Sequence, residues 1–111
     1  MSEKKKAILY CRYACVGKNG AVLDAQEQML RKYARSQDYD VIEVIKESCS
    51  GKSLHRSGIN MIYRLVDRGK VDAVIAKDIS RYGRHLEDVF KLIKTLNEKG
   101  VKVLTVMDDD L

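Results

Sequence analysis

The amino-acid sequence predicts an α/β fold, in which a mainly parallel sheet of about four strands carries helices on both faces. One observation is that short apolar runs of strand length alternate along the chain with segments of helical period. The other is the length of 111 residues, which suits one domain with a single core. Alternation of this kind is typical of right-handed βαβ units, whose strands lie parallel.

The predicted strands are apolar runs rich in β-branched residues, at Ala7 to Cys11, Val41 to Ile45, Val71 to Ala76 and Val101 to Val106. Three helices are predicted between them. Asp24 followed by Glu27 is typical of a capping box at the start of the first helix. Ser57 is expected to cap the second helix, which ends near Gly69, and Gly100 is expected to end the third.

Each predicted helix has apolar residues at helical spacing, which we expect to face the sheet. These residues are Met29, Leu30, Tyr33 and Ala34 in the first helix, Ile59, Ile62, Leu65 and Val66 in the second, and Leu86, Val89, Phe90, Ile93 and Leu96 in the third.

Composition and net charge limit the kinds of protein and partner that this sequence allows. Hydrophobic residues make up 45% and charged residues 33% of the chain, which is a soluble globular mixture. The formal net charge of +5 favours a polyanionic partner only mildly. No apolar run approaches the length that crosses a bilayer, and the apolar stretch near the start is too short for a signal peptide. We therefore expect a cytoplasmic protein with no membrane partner.

The three cysteines, Cys11, Cys15 and Cys49, are an odd number and do not predict a disulfide framework. Neither His55 nor His85 stands at a familiar ligand spacing from them, so no metal site is predicted. Cys11 and Cys49 are interpreted as small packed thiols.

Arginines follow the first three predicted strands, in the segments YCRYAC, ESCSGKSLHR and KDISRYGR. They are Arg12, Arg56, Arg81 and Arg84. Because the carboxyl ends of parallel strands meet at one edge of the sheet, these guanidiniums are expected to converge there. One arginine in a loop is usually just solvated, but four grouped with serines and glycines favour an oxyanion or phosphate site. A sulfate or phosphate ion is expected to occupy it when present in the medium.

The succession of YCR, LDAQ, SGKSLHR, KDISRYGR and EKGVKVLTVMDD resembles the catalytic domain of the serine site-specific recombinases, the resolvase and invertase family. The resemblance extends from about Ala7 to Asp110. The segment SGxxxxR followed by KDxSRxGR is specific, whereas YCR or LDAQ alone would be weak. The long second loop and the third motif are most similar to the integrase and conjugative-transposon branch.

The resemblance implies a resolvase-like three-layer α/β/α domain over residues 1–111. The implied activity is site-specific recombination, in which DNA is cut, held through a covalent phosphodiester, exchanged and religated. The implied partners are double-stranded DNA and, in the full-length protein, further copies forming a dimer or tetramer; no cofactor or metal is implied. In the family a long helix and a DNA-binding region come later, so this chain is expected to be a fragment that lacks both.

The resemblance also assigns site residues by position. Those that match the surroundings of the scissile phosphate are Arg12, Gln26, Ser50, Arg56, Ser80, Arg81 and Arg84. Fixed guanidiniums suit this chemistry, because a phosphodiester under attack spreads negative charge over its oxygens. His55 departs from the pattern, since an aspartate usually precedes this arginine, and the lost carboxylate bears on how Arg56 is oriented.

Ala14 stands where the family has its nucleophilic serine, two positions after the first arginine. Three explanations remain open. The chain is an inactive variant, or the nucleophile is displaced to Cys15, or another hydroxyl such as Ser50 is recruited. Nearby arginines would raise the thiolate fraction of Cys15, but a shift of one residue along an extended chain turns the side chain to the opposite face. Inactivity is slightly favoured.

Two other classes of function remain. One is a non-catalytic DNA-binding or assembly subunit of a recombination complex. The other is a flavodoxin-like or receiver-like domain, which has the same order of strands and helices. Receivers need clustered acidic residues at strand ends, whereas here the cluster is the terminal Asp108, Asp109 and Asp110 and the strand-end loops are basic.

Overall fold

The computed structural model describes residues 4–12, 20–47, 57–83 and 85–107 of the chain. Strands and helices alternate in these residues, as β1 (Lys5–Arg12), α1 (Gly20–Ser36), β2 (Tyr39–Glu47), α2 (Ser57–Asp67), β3 (Ala73–Ala76), α3 (Leu86–Glu98) and β4 (Lys102–Thr105). A short 3₁₀ turn, Ile79–Arg81, lies between β3 and α3.

The strands form one sheet in the order β2-β1-β3-β4, and every neighbouring pair is parallel. The predicted parallel α/β fold is therefore confirmed. From β1 the chain first adds β2 on one side, and it then crosses back to add β3 and β4 on the other side. The direction in which strands are added therefore reverses between β1 and β3. In open sheets a crevice forms outside the carboxyl ends of the two strands at such a reversal. Arg12 ends β1 at this crevice.

The core has two parts, one on each face of the sheet. Ile8 and Tyr10 of β1 pack with α2 and α3, whereas Leu9 and Cys11 pack with α1. Helices therefore cover both faces, as predicted. Because β1 is central and covered on both sides, its apolar run is continuous rather than alternating.

The start of α1 differs from the prediction. The helix begins at Gly20, so Asp24 and Glu27 lie inside it and the capping-box prediction was wrong. Both carboxylates bind Lys46 Nζ of β2, at 2.8 Å from Asp24 Oδ1 and 2.7 Å from Glu27 Oε1. These hydrogen bonds raise the pKa of Lys46, and the bond from Lys46 is the main cause of a lowered pKa at Glu27. The acidic pair thus ties α1 to the edge strand.

The predicted ends of α2 and α3 are confirmed. Gly69 and Gly100 follow these helices with φ of 80° and 82°, a left-handed conformation that glycine adopts without a steric penalty. The predicted start of the second helix is also correct to within one residue, because α2 begins at Ser57 itself.

The apolar face of α3 was predicted only in part. Val89, Leu92 and Leu96 are buried, whereas Leu86 and Phe90 are 58% and 54% exposed. At about 100° per residue, Phe90 lies about 160° around the helix from Leu92. The helix has apolar residues on two sides, and the sheet covers only one of these sides. The spacing of apolar residues in the sequence does not show which side is covered.

Leu92→Ala should destabilise the chain by about 2–5 kcal/mol, because Leu92 is fully buried and its loss leaves a cavity. Leu86→Ala is the matched control on the same helix and should change stability by no more than about 0.5 kcal/mol. Urea unfolding followed by circular dichroism measures both free energies of unfolding. Equal losses in the two variants would contradict this assignment of the buried face.

Candidate functional site

The predicted site residues divide into two groups. Those that the structure describes are Arg12, Gln26, Ser80 and Arg81; those outside the described residues are Ala14, Cys15, Ser50, Arg56 and Arg84. The described residues come together at the carboxyl ends of β1 and β3, at the crevice of the sheet. This is the edge at which the sequence placed them.

The guanidiniums of Arg12 and Arg81 each donate hydrogen bonds to main-chain carbonyls of the other arginine's segment. Arg12 Nε donates to the carbonyl oxygen of Arg81 at 2.8 Å, and Arg12 Nη2 donates to the carbonyl oxygen of Ser80. In return, Arg81 Nη1 donates to the carbonyl oxygen of Arg12 at 3.1 Å. With Arg12 only 4% exposed, these bonds fasten the 3₁₀ turn to the end of β1.

The acceptors in this pair are carbonyl groups, which orient a guanidinium but carry no net charge to neutralise it. The nearby carboxylate of Asp78 accepts a hydrogen bond from the Ser80 hydroxyl and lies 3.7 Å from Arg81 Nε. That distance is within ion-pair range but too long for a hydrogen bond. Within the described part of the chain, Arg81 Nε is a buried nitrogen without a hydrogen-bond partner. The crevice therefore holds two guanidiniums, with one carboxylate within ion-pair range of Arg81.

Gln26 acts on the main chain of Arg12. Its Oε1 accepts from the Arg12 N–H at 3.2 Å, and its Nε2 donates to the Arg12 carbonyl at 2.9 Å. The buried carboxamide thus bonds to both main-chain polar groups of Arg12, as a neighbouring strand would do in a sheet. The family resemblance implies that Gln26 contacts a phosphate, and that contact stays a prediction. The bonds that the structure shows make Gln26 a support for Arg12.

Glu47 is a residue at this edge that sequence analysis missed. It ends β2, and its carboxylate accepts hydrogen bonds from the Tyr10 hydroxyl and from the Gly58 N–H. The Tyr10 ring stacks on Tyr82, with ring centroids 5.9 Å apart and planes 11° from parallel. The available signal was an acidic residue shortly before Arg56 in the sequence, but the predicted site was built on arginines.

Cys11 is a packed thiol, as predicted. It is fully buried behind α1, and burial, with a smaller contribution from the Glu27 carboxylate, raises its pKa to about 11. The thiol is therefore protonated near neutral pH and is a poor nucleophile.

No group of histidine, cysteine, aspartate and glutamate side chains within the described ranges is arranged to hold a metal ion. In the same part of the chain, no helix is long and apolar enough to cross a membrane.

Comparison with known protein families identifies the family of this chain. Residues 7–111 match the family described as Resolvase, N terminal domain. The chain belongs to the resolvase family of serine recombinases. The resemblance seen in the sequence motifs is thereby confirmed, over nearly the whole chain.

A resolvase from Clostridium perfringens (strain 13 / Type A) is 29% identical to the chain over 96 residues. The match covers 86% of the chain and 48% of the relative. This resolvase-family chain therefore spans about half the length of the curated relative that it matches.

Solved structures of serine recombinases share the fold. The C-terminal catalytic domain of ISC1926 TnpA, an IS607-like serine recombinase, is 28% identical with a TM-score of 0.84, over 94% of this chain and 71% of that one. The N-terminal catalytic domain of TP901-1 integrase has a TM-score of 0.81 at 22% identity, over 91% of this chain and 76% of that one. The three-layer architecture is thus that of serine recombinase catalytic domains.

Gln26→Ala should lower the free energy of unfolding by about 1–3 kcal/mol, because it removes both hydrogen bonds that the carboxamide makes to the buried Arg12 main chain. Gln28→Ala is the control, since Gln28 is exposed on the same helix and should contribute no more than about 0.5 kcal/mol. Urea titrations of both variants give the difference. A Gln26→Ala variant as stable as Gln28→Ala would show that these bonds do not hold Arg12.

Proposed function

We propose that this chain is the catalytic domain of a site-specific DNA recombinase. The observation that carries the proposal is the pair of guanidiniums, from Arg12 and Arg81, fixed by main-chain carbonyls at the crevice of the sheet. A site that keeps positive charge in a set geometry suits a phosphodiester, whose oxygens gain negative charge during displacement. Family membership supplies the reaction class.

In the proposed reaction a side-chain nucleophile gives up its proton and attacks phosphorus in the DNA backbone. A phosphorus–oxygen bond to the neighbouring deoxyribose breaks, and the leaving oxygen takes up a proton. The broken DNA end is then held as a covalent protein–DNA phosphodiester. The hydroxyl of a new DNA partner attacks the same phosphorus, which releases the protein side chain and religates the strand.

Arg12 and Arg81 are proposed to bind the phosphate and stabilise its developing charge. Arg56, Arg84, Ser50 and Ser80 are proposed to join them, as their positions in the family motifs suggest. Gln26 is proposed to contribute by holding Arg12.

Ala14 favours a second candidate function. A methyl group cannot attack phosphorus, so a chain with alanine at this position would bind DNA without cutting it. We propose that this chain is inactive in cleavage and serves as a non-catalytic DNA-binding or assembly subunit, unless Cys15 takes the role of nucleophile. The basic crevice is compatible with both functions, because binding of phosphate does not require the nucleophile.

The proposed partners are double-stranded DNA and further copies of the same protein, as a dimer or tetramer, in the cytoplasm. We further propose that this chain is part of a longer protein that continues into a long helix and a DNA-binding region. The match to only 48% of the curated relative supports this. On its own, the chain would then bind DNA weakly, and a sulfate or phosphate ion would occupy the crevice.

In the full-length protein, Arg81→Ala should lower the slope of log affinity for DNA against log salt by about one, because one phosphate contact is lost. Lys5→Ala is the control, since exposed Lys5 begins β1 at the edge opposite Arg12. Salt titrations of binding to one DNA fragment measure both slopes. If Lys5→Ala reduces the slope and Arg81→Ala leaves it unchanged, the crevice is not a phosphate site.

Ala14→Ser in the full-length protein should create DNA cleavage and a covalent protein–DNA adduct, because a hydroxyl then stands at the family's nucleophile position. Incubation with the candidate DNA site, followed by denaturing electrophoresis, detects the adduct. The unchanged protein and its Cys15→Ala variant are the controls. Cleavage by the unchanged protein that survives Cys15→Ala would refute both inactivity and a Cys15 nucleophile.

A further inference from the structure

We propose that Glu47 is a positioning residue that sets the start of α2 relative to Arg12. Arg56 directly precedes α2 in the sequence, and it is the arginine through which Glu47 would affect DNA binding. The inference rests on the proposed function, because it concerns how the phosphate site is assembled. It assigns a role to a carboxylate that the arginine motifs do not include.

The two carboxylate oxygens of Glu47 bind two different elements. Oε1 accepts from the Tyr10 hydroxyl of β1, and Oε2 accepts from the Gly58 N–H of α2 at 2.8 Å. Strand β2 ends at Glu47, and α2 begins at Ser57. One side chain therefore links the end of β2 and the start of α2 to the central strand β1.

The bond to α2 is favourable for electrostatic reasons. Gly58 is the second residue of α2, where N–H groups have no partner inside the helix. The partial positive charge at a helix N-terminus also favours a carboxylate there. A hydrogen bond to a charged acceptor is stronger than one between neutral groups, so this contact is suited to fix a helix end.

Gly58 makes the close approach possible. A Cβ atom at this position would lie 2.5 Å from Glu47 Oε1 and 2.6 Å from Glu47 Cδ, which is inside van der Waals contact. Because the obstructed atoms are the end of a flexible side chain, alanine at position 58 would displace the carboxylate rather than the backbone. Gly58→Ala is thus a way to move Glu47 without removing it.

Tyr10 connects this anchor to the arginine pair. It precedes Arg12 by two residues on β1, and its ring stacks on Tyr82, the neighbour of Arg81. The buried Tyr82 hydroxyl lies within hydrogen-bond distance of the carbonyl oxygens of Val74 and Leu104, at 3.2 and 3.0 Å. Glu47 is therefore held against a buried part of the core, and α2 is placed relative to both Arg12 and Arg81.

The first test measures the anchor itself. Selective ¹⁵N-glycine labelling gives a simple spectrum, because the chain has seven glycines. Hydrogen exchange of the Gly58 amide should become about tenfold faster in Glu47→Ala, as expected for loss of a hydrogen bond to a charged group. Glu43→Ala, which removes an exposed carboxylate from the same strand, should leave it unchanged. Unchanged exchange in Glu47→Ala would overturn the inference.

The second test asks whether the anchor acts through Arg56. In the full-length protein, Glu47→Ala and Arg56→Ala should each weaken DNA binding. The fold-loss of DNA affinity in the double variant should be smaller than the product of the two single fold-losses. In the control, the double variant Glu43→Ala with Arg56→Ala should have the same DNA affinity as Arg56→Ala alone. Gly58→Ala should weaken binding in the same way as Glu47→Ala, although alanine is the better helix former. Losses that multiply in the Glu47 pair would overturn the positioning role.

The two tests separate the inference from the proposed function. If Gly58 exchange responds to Glu47→Ala but neither Arg12→Ala nor Arg56→Ala changes DNA affinity, the proposed function is overturned and so is the role of Glu47 in it. The Glu47–Gly58 anchor would then stand as a feature of the fold alone. If exchange and affinity both respond as described, Glu47 joins the residues that assemble the site.

Discussion

The reciprocal hydrogen bonds between Arg12 and Arg81 are the contact on which the site depends. They join the last residue of the central strand to a 3₁₀ turn that lies 69 residues away in sequence. A nearly buried guanidinium is costly unless its N–H groups are satisfied, and here main-chain carbonyls provide acceptors. These carbonyls hold both guanidiniums in a fixed geometry at the crevice, and they carry no net charge of their own.

Four of the described acidic residues make contacts near the carboxyl ends of the strands. Asp24 and Glu27 bind Lys46 near the carboxyl end of the outer strand β2, where they tie α1 to the sheet. Glu47 accepts hydrogen bonds from the Tyr10 phenol and from the N-terminus of α2, and Asp78 lies 3.7 Å from Arg81 Nε. These carboxylates therefore organise the surroundings of the arginine pair, and one of them, Asp78, lies within ion-pair range of Arg81.

Two stacked tyrosines connect this edge to the core. Tyr10 and Tyr82 are fully buried and lie on the side of the sheet that α2 and α3 cover. Burial raises the pKa of Tyr82 well above its ordinary value, so its hydroxyl stays protonated and able to donate to the main chain. The exposed Leu86 and Phe90 of α3 belong to neither core cluster, and their apolar surface faces away from this packing.

The sequence by itself determined the class of fold, the parallel sheet and the edge at which Arg12 and Arg81 meet. These follow from local periodicity and from the rule that parallel strands end together, which need no knowledge of side-chain packing. Only the tertiary structure decided that Gln26 supports Arg12, that Glu47 bridges β1 and α2, and that Phe90 is exposed. Each of these depends on contacts between residues distant in sequence, and spacing along one segment carries no information about which partner lies opposite.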